Sequence, residues 1–149
     1  LMAVDGESAI EQAEYALPDL ILLDVMMPGI DGFETCQRFK SNLQLQSIPI
    51  IFMTALSDSV NKVRGLELGA VDYITKPFQQ EEVIARVKLH LGLSQLNRSL
   101  EGKVEEQSKT QSQLEELTQQ LEQRVHDRTI ELENSIQQLK TTQLQLIQS

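Results

Sequence analysis

Hydrophobic and polar positions follow two patterns along the chain, and the change between them falls near residue 91. Before that point, short apolar runs alternate with stretches whose apolar residues recur every three or four positions. Such runs indicate strands buried on both faces of a sheet, and the second spacing indicates amphipathic helices. The predicted strands cover residues 20–25, 48–53 and 71–75, with the end of a further strand at residues 1–4, and the predicted helices cover residues 7–17, 31–41, 58–68 and 79–91.

Strands that alternate with helices of this length need crossover connections, which are right-handed and give a parallel sheet. We therefore predict an α/β domain over residues 1–91, whose last helix continues into a helical region over residues 92–149.

From residue 89 onward, apolar residues form one stripe with steps of three and four positions, which is typical of a coiled coil. The stripe consists of Leu89, Leu93, Leu96, Leu100, Leu114, Leu117, Leu121, Val125, Leu132, Ile136, Leu139 and Leu146. The stripe is interrupted by Lys103, Gln107 and either Thr110 or Gln111, so its middle is expected to pack weakly. The steps from Leu114 to Val125 form an eleven-residue unit, which locally unwinds a left-handed supercoil. A solvated single helix is the alternative, disfavoured because polar helices need packing partners to persist.

Net charge and composition narrow the classes of function. The 149 residues include 13 basic and 22 acidic ones, and the net charge of −9 argues against non-specific binding to nucleic acids. A single cysteine, Cys36, excludes an internal disulfide framework and suits a reducing cytoplasm. No apolar stretch reaches the roughly 20 residues that span a membrane.

Three polar side chains follow successive predicted strands. Asp24 ends the apolar run in the stretch LILLDVMMPGIDG, and Thr54 and Lys76 occupy the ends of the next two strands. Open α/β sheets bind their ligands at the carboxyl ends of strands. Taken singly, Asp24 reads as a turn or capping residue, Thr54 as a β-branched strand residue and Lys76 as a surface lysine. Their joint placement at the ends of successive strands favours a shared chemical role over these separate structural ones.

A carboxylate, a hydroxyl and an ammonium at one edge of a sheet suit phosphoryl transfer to the carboxylate. Asp24 is the candidate nucleophile, which forms an acyl phosphate. Thr54 is placed to donate a hydrogen bond to a phosphoryl oxygen, and Lys76 to neutralise developing charge. No other pair of base and nucleophile is visible, so we predict no enzyme activity beyond this acceptor chemistry.

The motifs LLDVMMPGIDG, PIIFMTAL and GAVDYITKPF together resemble those of a two-component response-regulator receiver domain. The resemblance covers residues 1–91 and implies a flavodoxin-like, doubly wound parallel sheet of strand order 2-1-3-4-5. It also implies that Asp24 accepts a phosphoryl group from a histidine kinase or phosphotransfer domain.

The resemblance further implies particular roles for residues around Asp24. Thr54 and Tyr73 would change position as the switch, although Tyr73 also reads as an ordinary core aromatic residue. Lys76 would bind the phosphoryl group and precede a cis peptide bond at Pro77. Asp24 and the backbone carbonyl of Met26 would ligate Mg²⁺.

One departure from the family pattern concerns the metal. The family's first strand ends in two acidic residues that hold Mg²⁺, but residues 1–4 match only the end of the second strand. Asp24 with one carbonyl is a poor ligand set for Mg²⁺. Asp5 lies in a predicted turn and Asp19 at the opposite end of its strand, so neither substitutes. We expect about 25 to 40 further residues upstream in the native protein, which would supply the missing first strand and helix.

The stretch LEQRVHDRTIELENSIQQL in the tail resembles the signalling helix that leads into the dimerisation domain of sensor histidine kinases. His126 lacks the sequence context of a phosphoacceptor histidine, and both His126 and His90 read as solvated helix residues. The sequence thus predicts a cytoplasmic, magnesium-dependent receiver that relays its state through a homodimeric coiled coil to an output domain, such as a kinase, outside these residues. The alternative is a structural dimerisation module whose receiver takes no phosphate.

Overall fold

The structure, a computed structural model, describes residues 1–55 and 59–149. Its helices are α1 (Gly6–Ala16), α2 (Gly32–Ser41), α3 (Ser59–Glu67) and α4 (Gln80–Gln148), and its strands are β1 (Ile21–Asp24), β2 (Ile50–Ala55) and β3 (Asp72–Lys76). The chain divides into two compact units, Leu1–Ser99 and Leu100–Ser149. The first residue of the predicted third helix, Asp58, lies outside the described residues.

The three strands form one parallel sheet in the order β1-β2-β3. Asp24 pairs with Met53 across the first two strands, and Ala55 pairs with Lys76 across the last two. The parallel α/β fold predicted from the alternating pattern is confirmed, and its order matches the last three strands of the sheet that the resemblance implies.

Aromatic and aliphatic side chains from the helices and the sheet form the core of the first unit. The rings of Phe33 on α2 and Phe52 on β2 lie 5.3 Å apart between centroids. The three-residue spacing of Phe33, Cys36 and Phe39 predicts that they share the inward face of this helix. Cys36 and Phe39 are in fact almost completely buried. Burial raises the pKa of the Cys36 thiol, the nearby Lys40 ammonium opposing this shift, so the thiol stays protonated at neutral pH.

The prediction that residues 1–4 form the end of a strand is wrong. These residues have no regular structure and pair with no strand of the described chain, although one edge of β1 is unpaired. Asp5, which was predicted to lie in a turn after that strand, is instead the N-cap of α1. Its carboxylate accepts a hydrogen bond of 2.8 Å from the backbone N–H of Ser8, and this bond lowers the pKa of Asp5.

Strand β1 is paired only with β2 among the described residues, so its other edge is open. Leu22 is 39% exposed at this edge. A groove of about 640 Å³ runs beside it, lined mainly by apolar side chains that include Leu23, Val87 and Leu91. Leu23 is nevertheless buried, because α1 and α2 cover its side of the sheet.

The last predicted helix and the predicted coiled-coil region form the single helix α4. Within the second unit, Leu100–Ser149, every side chain is exposed, including those of the apolar stripe. In the part of the chain that the structure describes, no helix is both long enough and apolar enough to cross a bilayer.

Candidate functional site

The polar residues singled out from the sequence lie at one edge of the sheet. Asp24 is the last residue of β1, Thr54 is the last but one of β2, and Lys76 is the last of β3. Since the strands are parallel and adjacent, their carboxyl ends meet at the same edge. Apolar residues along each strand hold it in the core, and the side chains of Asp24 and Lys76 reach solvent where their strands end.

The side chains of Asp24 and Lys76 are in direct contact. The Lys76 ammonium donates a hydrogen bond to Oδ2 of Asp24, and the backbone N–H of Met26 donates one of 3.0 Å to Oδ1. The Asp24 side chain is 28% exposed and that of Lys76 is 44% exposed. The carboxylate is therefore oriented by two donors while remaining open to a reactant from solvent.

Thr54 does not join this contact directly. Its side chain is buried, and its hydroxyl donates a hydrogen bond of 3.4 Å to the carbonyl of Ala55. The structure thus brings Asp24 and Lys76 together, with Thr54 on the strand between them.

The turn after Asp24 depends on a glycine whose role the sequence reasoning missed. Gly32 begins α2, and its N–H donates a hydrogen bond of 3.0 Å to the carbonyl of Val25. A Cβ atom at this position would lie 2.2 Å from the carbonyl oxygen of Asp24. Asp31 precedes it as the N-cap of α2. The Asp-Gly pair of the motif therefore fixes how closely α2 approaches the end of β1.

Tyr73, the second candidate switch residue, is half-buried on β3 and packs against the core cluster. The Lys62 ammonium lies 4.8 Å from the centroid of its ring, within cation–π distance. The Lys76–Pro77 peptide bond is cis, as the resemblance implies.

The described residues around Asp24 do not make a Mg²⁺ site. In the described ranges, 1–55 and 59–149, no three His, Cys, Asp or Glu side chains cluster closely enough to hold a metal ion. Asp24 supplies a single carboxylate, which Lys76 and the Met26 N–H already engage. Mg²⁺ prefers octahedral oxygen coordination, so this donor set does not suffice.

A second group of charged side chains, which we call the Asp72 cluster, consists of Asp72, Arg86 and His90. Arg86 Nη1 lies 2.8 Å from each carboxylate oxygen of Asp72, and His90 Nε2 lies 2.9 Å from Oδ2. The prediction that His90 is a solvated helix residue is wrong, because its side chain is only 12% exposed. His126, by contrast, is exposed.

The cluster shifts the ionisation of its members. Burial raises the pKa of Asp72, but hydrogen bonds from His90, the Tyr73 N–H and Arg86 outweigh this, so the pKa is lowered. The hydrogen bond to Asp72 raises the pKa of Arg86. The ion pair is therefore favoured in the folded chain.

Comparison with known proteins identifies the fold family. The response regulator receiver domain family matches residues 2–88 of this chain. The alkaline phosphatase synthesis transcriptional regulatory protein PhoP of Bacillus subtilis (strain 168) is 49% identical over 96 residues, which are 64% of this chain and 39% of that protein. The chain thus spans about two fifths of the length of this curated relative.

Solved structures of receiver domains are also similar to this chain. The signal receiver domain of a signal transduction histidine kinase from Syntrophus aciditrophicus is 41% identical, with a TM-score of 0.54 over 59% of this chain and 67% of that one. The BeF3-activated N-terminal receiver domain of Klebsiella pneumoniae RstA is 37% identical, with a TM-score of 0.56 over 61% of this chain and 75% of that one.

Proposed function

Because this chain belongs to the response regulator receiver domain family, we propose that it is a phosphoacceptor whose acceptor group is the Asp24 carboxylate. The observation that carries the proposal is the contact between Asp24 and Lys76 at the carboxyl ends of two parallel strands. A cation beside a partly exposed carboxylate lowers the cost of bringing an anionic phosphoryl group to it.

The proposed reaction is one displacement at phosphorus. An oxygen of Asp24 attacks the phosphorus of a phosphohistidine on a histidine kinase or phosphotransfer domain. A P–O bond forms, the P–N bond breaks, and the imidazole leaves with the electron pair and takes up a proton. Lys76 follows the transferred charge from the carboxylate to the phosphoryl oxygens. Thr54 and Tyr73 would respond to the new group as switch residues, Thr54 by donating its hydroxyl to a phosphoryl oxygen.

The second unit would carry this signal as a parallel homodimeric coiled coil. Its apolar stripe is exposed in the single chain, which is an unfavourable state for so many leucines. A second copy offers the same stripe with the same spacing, which is the partner that heptad-like patterns require. An output domain outside residues 1–149, such as a kinase, would receive the change in a cytoplasmic setting.

One observation favours a second candidate function, a structural dimerisation module that is not phosphorylated. Receivers of this family are expected to use Mg²⁺, and the described residues offer too few oxygen ligands for it. The intact Asp24–Lys76 contact favours the phosphoacceptor over this candidate.

Phosphorylation by a small-molecule phosphoryl donor distinguishes the phosphoacceptor from the structural module. The chain is incubated with acetyl phosphate or phosphoramidate, with and without Mg²⁺, and its intact mass is measured. The phosphoacceptor gains one phosphoryl group, and the Asp24→Asn variant gains none. Asp19→Asn, which removes an exposed carboxylate two residues before the same strand begins, is the matched control and gains the group like the wild type.

Absence of any mass increase in the wild type under all conditions would favour the structural module instead. An increase that persists in Asp24→Asn would place the phosphoryl group elsewhere and contradict the assignment of Asp24.

A further inference from the structure

The Asp72 cluster lies apart from the candidate site at Asp24 and joins strand β3 to helix α4. Asp72 is the first residue of β3, and Arg86 and His90 lie on α4. The side chain of Asp72 is 18% exposed, and that of His90 is 12% exposed. Charge-assisted hydrogen bonds in such shielded surroundings hold two elements together far better than an exposed surface pair does.

Two side chains of helix α4 bond to strand β3. Arg86 and His90 are four residues apart, so they lie one helical turn apart on the same face of α4. Both reach the single carboxylate of Asp72, at 2.8 Å and 2.9 Å. Glu82, one turn earlier, accepts a hydrogen bond of 3.2 Å from Nε of Arg86 and steadies the guanidinium. The helix therefore cannot slide or rotate against β3 without breaking these bonds.

The same strand reaches the candidate phosphoacceptor site. Four residues beyond Asp72, β3 ends at Lys76, which contacts Asp24. Between them lies Tyr73, whose N–H donates a hydrogen bond of 2.8 Å to Oδ1 of Asp72. One short strand thus has the phosphoacceptor contact at its carboxyl end and the contact with α4 at its amino end.

From this arrangement we infer that Arg86 and His90 position α4 on β3 through Asp72, and that the Asp72 cluster transmits the phosphorylation state of Asp24 from β3 to α4. The inference rests on the proposed function, since it needs a phosphoryl group at Asp24. Arg86 and His90 touch no reacting atom and are positioning residues.

The energetic basis is a difference in contacts between two states. Without a phosphoryl group, Lys76 pairs with the Asp24 carboxylate, and with one it follows the phosphoryl oxygens. A displacement of the end of β3 changes the geometry at Asp72, where hydrogen bonds of 2.8 Å to 2.9 Å tolerate little change. The helix follows the strand or loses these bonds, which gives the two states different free energies at α4.

Hydrogen exchange of the whole chain tests this role. Exchange over residues 80–99 is measured by mass spectrometry before and after treatment with acetyl phosphate, in the wild type, in Asp72→Asn and in Glu81→Gln. Glu81 is an exposed acid on the same helix outside the cluster and serves as the matched control. Phosphoryl uptake is measured on the same samples by intact mass.

We expect Asp72→Asn to take up phosphate like the wild type, while the phosphorylation-dependent change in exchange over residues 80–99 falls at least about fivefold, the low end of allosteric couplings. Glu81→Gln is expected to take up the phosphoryl group and to show the change in hydrogen exchange as the wild type does. His90→Gln removes only the bond between His90 and Asp72. It is expected to reduce the phosphorylation-dependent change in exchange in part. This milder variant carries the test if Asp72→Asn does not fold.

The outcomes separate the two proposals. A wild type that takes up no phosphate overturns the proposed function and, with it, the proposed role of the Asp72 cluster. A phosphorylated Asp72→Asn or His90→Gln whose exchange responds as fully as that of the wild type overturns the role of the cluster alone.

Discussion

Lys76 and Asp24 are 52 residues apart in the sequence, yet the lysine ammonium donates a hydrogen bond to the aspartate carboxylate at the edge of the sheet. Two crossover connections and the parallel pairing of β1, β2 and β3 bring them together. Both side chains remain partly exposed, so this contact contributes little to stability. Its position instead suits a reactive group that must stay accessible.

Loss of the Lys76 ammonium is expected to slow phosphorylation. In Lys76→Ala, the rate of phosphoryl uptake from acetyl phosphate should fall by about 10²-fold, the range for removing one preorganised donor at a site of developing charge. The exposed Lys88 provides the matched variant Lys88→Ala, which should react at the wild-type rate. Equal rates for wild type and Lys76→Ala would show that Lys76 takes no part in the transfer.

A methyl group at position 32 should destabilise the first unit. In Gly32→Ala the added Cβ meets the Asp24 carbonyl oxygen, and overpacking of this kind lowers the free energy of unfolding by about 1–3 kcal/mol. Urea denaturation followed by tyrosine fluorescence measures the loss. Gly92→Ala is the control, because its Cβ would meet no described atom within 4 Å beyond the adjacent backbone of its own helix, and alanine favours a helix by about 0.5–1 kcal/mol.

The Asp72 cluster predicts a pH dependence of stability. The folded chain lowers the pKa of Asp72, so its ionised form adds stability above the ordinary aspartate pKa of about 3.9 and loses it as pH falls through the folded value. The melting temperature of the wild type should therefore exceed that of Asp72→Asn at pH 5, and the difference should shrink toward pH 3. A difference that stays constant over this range would mean that the carboxylate's charge is not what stabilises β3 against α4.

The apolar stripe of the second unit predicts self-association. Sedimentation equilibrium should give twice the chain mass of 16.9 kDa for the wild type. Leu117→Asn with Leu121→Asn should shift the chain to the monomer mass, because both leucines belong to the stripe and are exposed in the single chain. Gln119→Asn with Gln123→Asn alters the opposite face of the helix and should leave the dimer intact. A wild type that sediments as a monomer would contradict the coiled-coil dimer.

Much of the fold could be predicted from local sequence. The apolar run that ends at Asp24 and the inward face of Phe33, Cys36 and Phe39 depend on short-range patterns, and the structure confirms both. Periodicity also predicted that the last helix of the α/β domain continues into the helical region after it, as α4 does.

Other features depend on long-range contacts that no local pattern records. Residues 1–4 have the apolar composition of a strand, yet they pair with no strand in the described chain, not even with the open edge of β1. His90 looked solvated because its partner, Asp72, lies 18 residues earlier on another element. The spacing of Arg86 and His90 on one helix face was the available signal, and an acidic partner could have been sought for it. The close approach at Gly32 follows from the packing of α2 on β1.

The central claim, that Asp24 is the phosphoacceptor, is tested most directly by locating the phosphoryl group. After reaction with acetyl phosphate, borohydride reduces an aspartyl phosphate to homoserine, and peptide mass spectrometry then identifies the altered residue. We expect homoserine at position 24 and at no other aspartate. Homoserine elsewhere, or an unmodified Asp24 in a chain that has gained a phosphoryl group, would contradict it.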